Sequence, residues 1–193
     1  MRQADTFSTI ELSVDDVAQI YESLDPYPFH ERDLDRDAEE YIVGWARELP
    51  HDHDFRILVR MPAASLSTPG AVDLGRSMNR FFALRAEVIS RDLRELFRIG
   101  RMSLVIGVLV LAACVAGAQY VHMLLGEGPI ATITRESLII MGWVANWRPL
   151  EIFLYEWWPI ARRRNLYRRL STAKVELGRS SPDTAAGRDN GQT

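Results

Sequence analysis

The chain has 193 residues, 47% of them hydrophobic and 25% charged, with a formal net charge of −3. That length suits one domain with appendages, and the single cysteine, Cys114, excludes an intramolecular disulfide. The near-neutral balance hides opposing blocks: residues 1–62 carry a net −9, 63–101 a net +3, 102–160 a net −2 and 161–193 a net +5. These local blocks, rather than the overall pI, bear on partners. Lys174 stands alone against 22 arginines, a bias of GC-rich coding that points to a bacterial source. The first 20 residues are polar and acidic, without the apolar core of a secretory signal.

After a flexible N-terminus (1–7), residues 8–62 predict a small acidic α+β domain. "STIELS" alternates Ile10 and Leu12 with polar neighbours, as a half-buried strand does. Ser13 is placed to cap a helix with Asp15 and Asp16 in its first turn and Val14, Val17, Ile20, Tyr21 and Leu24 as its apolar stripe. The two prolines of "DPYPF" (25–29) stop it. Asp35 is the expected cap of a second helix, with Ala38, Tyr41, Ile42, Trp45, Ala46 and Leu49 on one side and Pro50 ending it. Phe55, Ile57, Val59 and Met61 then alternate with Arg56 and Arg60 as a second strand that stops at Pro62.

Two strands are too few for a stable sheet. "AKVELG" (173–178) alternates Val175 and Leu177 and is the candidate third. "HDHD" (51–54) offers metal-ligand types, but as a four-residue turn without a distant ligand set it is a solvated turn. "HERDLDRDAEE" (30–40) lacks the glycine and periodicity of a calcium loop. Neither predicts a metal, and no cofactor motif, Gly-rich phosphate loop or catalytic grouping stands in the chain. His30 and His122 are isolated. No enzyme activity is predicted.

A linker (63–71) leads to an amphipathic helix (72–101) with Met78, Phe81, Phe82, Val88, Ile89, Leu93 and Leu96 on its apolar side. Residues 102–126 hold no Asp, Glu, Lys or Arg; as a helix they reach about 37 Å, enough for the roughly 30 Å hydrocarbon core of a bilayer. Small residues recur at spacing four (Ser103/Gly107, Ala112/Ala116, Ala113/Gly117, Cys114/Ala118), the pattern of close helix packing in lipid. A loop (127–135) precedes a second predicted span (136–158), whose charge-free part, 137–147, is too short by itself.

Charge asymmetry supplies the direction. Arg91, Arg94, Arg98 and Arg101 precede the first span; Arg162, Arg163, Arg164, Arg168 and Arg169 follow the second; the loop has one arginine, Arg135. The positive-inside rule puts both termini in the cytoplasm and the loop outside, which requires two crossings. A basic segment (159–178) and a disordered tail (179–193) complete the chain.

The second span carries the candidate site, an intramembrane polar cluster of Asn146, Arg148, Glu151, Tyr155 and Glu156. Arg148 falls near the middle of 136–158, where an isolated charge costs about 2.5–3.5 kcal/mol on insertion scales. Arg148 and Glu151, three residues apart, are expected to neutralise each other against protein, with Tyr155 on nearly the same stripe. Asn146 points elsewhere. Pro149 frees the carbonyl of Ala145, and Glu156 is expected to snorkel towards Arg162 and Arg163.

"SLDPYPFHERDLDRDAEEYIVGWARELP" and "ESLIIMGWVANWRPLEIFLYEWWPIARRR" resemble a family of short bacterial inner-membrane proteins to which no activity is assigned. The resemblance covers residues 8–177 and rests on the DPxPF and WRPLEIFLYxWWP strings; it implies fold and inner-membrane location, and no site residue. The fold class expected is therefore an α+β membrane protein: a small cytoplasmic β-α-α-β domain and a long amphipathic helix leading into a two-helix transmembrane hairpin. The function expected is a membrane-anchored interaction or assembly module. Its partners are membrane lipid and a second copy or another protein, not nucleic acid. The competing expectation is an oligomeric transporter or channel subunit using the Arg/Glu/Asn cluster.

Overall fold

A computed structural model describes residues 7–21, 33–50, 53–126 and 128–180. The DPxPF string, Leu24, His30, His51, Asp52 and the tail beyond Ser180 lie outside them. The described chain is α+β and mostly helical: β1 (Phe7–Ser13), α1 (Arg36–Glu48), β2 (Asp54–Met61), α2 (Pro69–Leu125), α3 (Pro129–Ala145), α4 (Trp147–Glu151), α5 (Trp157–Leu170) and β3 (Lys174–Arg179). Two compact units form, one from the described residues of Met1–Glu87 and Arg164–Thr193, the other Val88–Arg163.

In the first unit the three strands make one parallel sheet in the order β1-β2-β3. Ile10 pairs with Ile57, and Ile57 with Val175. The third strand thus comes from the far end of the chain, as the alternation of Val175 and Leu177 predicts. On the inner face Ile10, Leu12, Phe55, Ile57, Val59 and Met61 are buried with Ile42, Val43 and Ala46 of α1 and Leu74, Met78, Phe81 and Phe82 of α2. Helix α2 comes so close at Gly75 that a Cβ there would lie 3.3 Å from Cβ of Val175. A parallel sheet normally hides both faces. Here the outer face carries charge pairs instead: Arg60 with Glu11 (3.1 Å) and Arg56 with Glu176 (3.8 Å) across strands, and Lys174 with Glu176 (2.8 Å) within β3.

The expected first helix is only a 3-10 turn, Val17–Ile20, capped by Asp16 rather than Ser13. Ser13 is still in β1, and Val14 donates its N–H to the carbonyl of Arg60. At Tyr21 the chain is extended and bridges Leu34, while Asp35 N–H bonds the Ile20 carbonyl (2.8 Å), so the turn cannot lengthen into a helix. Asp35 caps α1, accepting from Asp37 N–H at 2.9 Å. The buried stripe of α1 is Ile42, Val43 and Ala46, while Tyr41 and Trp45 sit exposed at its rim, their rings 6.3 Å apart. The "HDHD" turn ends with His53 beside the Ser8 hydroxyl and Asp54 opening β2; the His53 carbonyl accepts from Arg169 at 2.6 Å.

Residues 72–101 and the first predicted span form one unbroken helix, α2, of 57 residues. The linker is shorter than 63–71, because Pro69 suits the first turn of α2. Val88 is exposed; the buried stripe passes through Ala86, Ile89 and Leu93. Helix α2 is the one helix among the described residues long and apolar enough to cross a membrane. The loop 127–135 is largely helical: α3 starts at Pro129, again a first-turn proline, leaving a connection at Gly126 (φ +64°) to Gly128. Strand β3 extends to Arg179, one residue into the predicted tail.

Ending the chain after Ala173 removes β3 and bares the edge of β2. Thermal unfolding of the sheet unit is expected to shift downward; an unchanged transition would mean that β3 contributes nothing. Hydrogen bonding from Lys174 first, then the nearby Arg56 charge, holds the Glu176 carboxyl below its usual range. A depressed carboxylate stabilises the fold above its unfolded value, and that contribution is lost as pH falls through the lowered one. Glu176→Gln is therefore expected to lower stability at neutral and alkaline pH and to converge with the parent in acid, so that the acid limb of stability against pH is flatter.

Candidate functional site

Within the second unit α2 and the run α3–α5 pack antiparallel, as their contact levels show. A Cβ on Gly100 would meet Ile152 (2.9 Å), on Gly107 the Asn146 Oδ1 (2.7 Å), on Gly142 the Leu111 Cδ1 (2.7 Å), and on Gly117 Leu138 (3.6 Å). Going up α2 therefore means going down α3–α5. The seam follows a seven-residue repeat on α2 (Leu93, Gly100, Gly107, Cys114), and all four are buried. Of the small-residue pairs read from the sequence, Cys114/Ala118 lies in this seam, whereas Ala112, Ala113 and Ala116 are exposed.

Asn146 ties the seam together. Its Nδ2 donates to the carbonyls of Gly107 (3.1 Å) on α2 and Gly142 (3.0 Å) on α3. Such a side chain satisfies backbone oxygens across a helix contact, the use to which polar groups are put in lipid. Pro149 has no N–H to return to Ala145, and the Ala145 oxygen faces Gly107, where a Cβ would come within 3.0 Å. Only glycine at 107 admits both. These glycine contacts leave no signal in the sequence beyond the general richness in small residues.

The charged members gather on one side. Arg148 Nη1 donates to Glu151 at 3.1 Å, and its guanidinium also grips Glu156, through Nη1 to Oε1 and through Nη2 to Oε2 at 3.2 Å. Glu156 thus pairs with Arg148, not with Arg162 or Arg163. The cause is a π turn, Ile152–Glu156. In a regular α-helix residue i+8 lies about 80° around from residue i; the residue added by a π turn sets it back by about 100°, so Glu156 returns to the face of Arg148. The same shift carries Tyr155 away, and among the described residues its hydroxyl has no partner. Trp157 moves onto Phe97, ring centroids 6.3 Å apart, with its indole N–H on the Phe153 carbonyl.

The expected burial of the pair is corrected. The side chains of Arg148, Glu151 and Glu156 are 56%, 45% and 31% exposed. The expected depth is corrected too. Asn146 is level with Gly107 and Ile152 with Gly100, so Arg148 stands beside the start of the apolar run of α2. The middle of that run is level with Gly142. The cluster is a three-member ion network at one end of the apolar band, net −1, framed by exposed Trp147, Tyr155 and Trp158. Among the described residues it has no group of convergent metal ligands, and its two carboxylates neutralise Arg148.

Comparison with known protein families, curated proteins and solved structures returned no match for this chain. Any functional reading therefore rests on the chain's own geometry.

Since the π turn amounts to one inserted residue, deleting exposed Leu154 should convert it to α-helix and leave Trp157 and Ala161 in phase. Deleting Ile140 from α3 should instead rotate everything after it by about 100°. The Leu154 deletion is expected to remain monodisperse in detergent and the Ile140 deletion to aggregate; equal aggregation of both would refute the phase argument.

Proposed function

We propose that this is a bacterial inner-membrane protein whose two-helix hairpin holds a small cytoplasmic α+β domain at the membrane. There it acts as a non-enzymatic interaction or assembly module. One observation carries the topology. Strand β2 precedes the long apolar helix, β3 follows α5, and the two pair in one sheet. Both strands must then lie on the same side of any membrane that α2 crosses, and α3–α5 is the only chain available to cross back.

Surface character supports the crossing. Met102, Val105, Leu109, Leu124, Ile130, Ile140, Met141, Trp143 and Val144 are all exposed, a far larger apolar surface than a water-soluble protein leaves uncovered. Arg135 and Glu136 are almost level with Tyr120 and Gln119, about 9 Å short of the far end of the apolar run, as inferred from the Gly117–Leu138 contact. From there to Arg148 the second helix rises about 18–20 Å, and snorkelling of the charges at each end extends its reach towards the hydrocarbon thickness. The charges in WRPLEIFLYxWWP thus belong to the boundary layer, with the tryptophans that favour it.

On this reading the oligomeric transporter or channel loses much of its motive, because a pathway needs polar groups near the midplane and Asn146, which lies deeper than Arg148, is occupied by two backbone carbonyls. The acidic domain, which holds no group of metal ligands among its described residues, is left as the working part, and its partner is a second copy or another protein.

The topology is tested with single cysteines in a Cys114→Ser background. Ala64→Cys and Thr172→Cys should react with a membrane-impermeant maleimide only after the cytoplasmic side is opened, and Thr132→Cys from outside. Outside labelling at Thr172, or protection at Thr132, overturns the hairpin. The module reading is tested by cross-linking in native membranes: a homo-oligomer or protein adduct through the α+β domain is expected, and a monomer without adducts counts against it.

A further inference from the structure

The arginines before the apolar run of α2 are more regular than topology requires. Arg91, Arg94, Arg98 and Arg101 are spaced three, four and three residues apart. At about 100° per residue they fall within about 80° of one another around the helix. That face lies beside the seam residues Leu93, Phe97 and Gly100, its centre about 110° around the helix from theirs. All four side chains are exposed, and among the described residues none is ion-paired; Arg94 Nε donates only to the Ser90 carbonyl. Asp92 and Glu95 stand on the same turns, flanking the stripe rather than interrupting it.

We propose that this stripe binds the headgroup phosphates of anionic phospholipids, with Arg98 and Arg101 in direct contact and Arg91 and Arg94 acting at longer range. The proposal rests on the membrane reading above. Arg101 adjoins Met102, the first residue of the apolar run, and Arg98 is about 4–5 Å farther out, both within the headgroup layer, which is about 5–8 Å deep. Arg94 and Arg91 lie about 10–15 Å beyond Arg101 on the helix axis, at or past the Debye length of about 8 Å, where attraction to surface charge has mostly faded. A guanidinium presents paired donors to phosphate oxygens, so arginine suits this contact better than a point charge. The Arg148–Glu151–Glu156 network at the same boundary is internally paired and net negative, which leaves the α2 stripe as the attractive surface.

The test uses the full chain in a non-ionic detergent and native mass spectrometry, with phosphatidylglycerol and phosphatidylcholine of identical acyl chains at equal concentration. Phosphatidylglycerol adducts should predominate severalfold and weaken with salt. Arg98→Gln with Arg101→Gln should reduce that preference by about tenfold, since each arginine at the surface contributes about fivefold at most. Arg91→Gln with Arg94→Gln should reduce it less than about threefold, following the faded attraction at that distance. Arg98→Lys with Arg101→Lys retains charge and should hold much of the preference, which keeps the result readable if the Gln pair folds poorly. Millimolar inorganic phosphate should not compete, because the acyl chains anchor the lipid beside the stripe. Equal binding of the two lipids, equal loss in both Gln pairs, competition by free phosphate, or an acidic protein or RNA occupying the stripe in place of lipid would each overturn the proposal. A chain that stays monodisperse without detergent would instead sink the membrane reading itself; a detergent-dependent chain without lipid preference sinks only this inference.

Discussion

Strand β3 cannot form until the chain has left the N-terminal domain, built some hundred residues of helix and come back, because its only described hydrogen-bonding partner is β2. That pairing constrains everything between the two strands. An odd number of membrane crossings in residues 62–173 would divide the sheet, and a two-stranded remnant is marginal in water. It also makes the fold slow to close, since loop-closure entropy is lost before the distant strand contributes.

The run α3–α5 is not one regular helix, and the packing explains why. Close approach is set at Gly100, Gly107 and Gly142, where a Cβ would come within 2.7–2.9 Å of its neighbour. Asn146 adds side-chain hydrogen bonds to the carbonyls of Gly107 and Gly142 at this contact. Pro149 and the π turn then interrupt the regular helix, and the interruption brings Glu156 back to Arg148 while placing Trp157 on Phe97. π turns of this kind are single-residue insertions absorbed without loss of register downstream.

Charge sorts along the same axis. The ion network and the tryptophans beside it take their level along α2 from the contacts of Asn146 with Gly107 and Ile152 with Gly100, not from their positions in the chain. An exposed ion pair contributes little, about 0–1 kcal/mol. Its use here is to let a charged segment sit at the edge of an apolar band without an uncompensated charge.

Much was legible in the residues alone. Period-two alternation located β1, β2 and β3, a capping aspartate marked α1, and 25 uncharged residues marked the apolar half of α2, because these signals are local and depend on backbone periodicity. What the tertiary structure decided were matters of angle and depth. Tyr41 and Trp45 look like core and sit at the rim, since a shift of one residue on a helix is about 100°. Arg148 is central in its own apolar segment yet level with the edge of α2, because depth depends on the partner helix. Glu156 joins Arg148 only through a π turn, and a π turn has no composition of its own: it forms where the packing of Trp157 and Ile152 against α2 favours one residue more than an α-helix would hold.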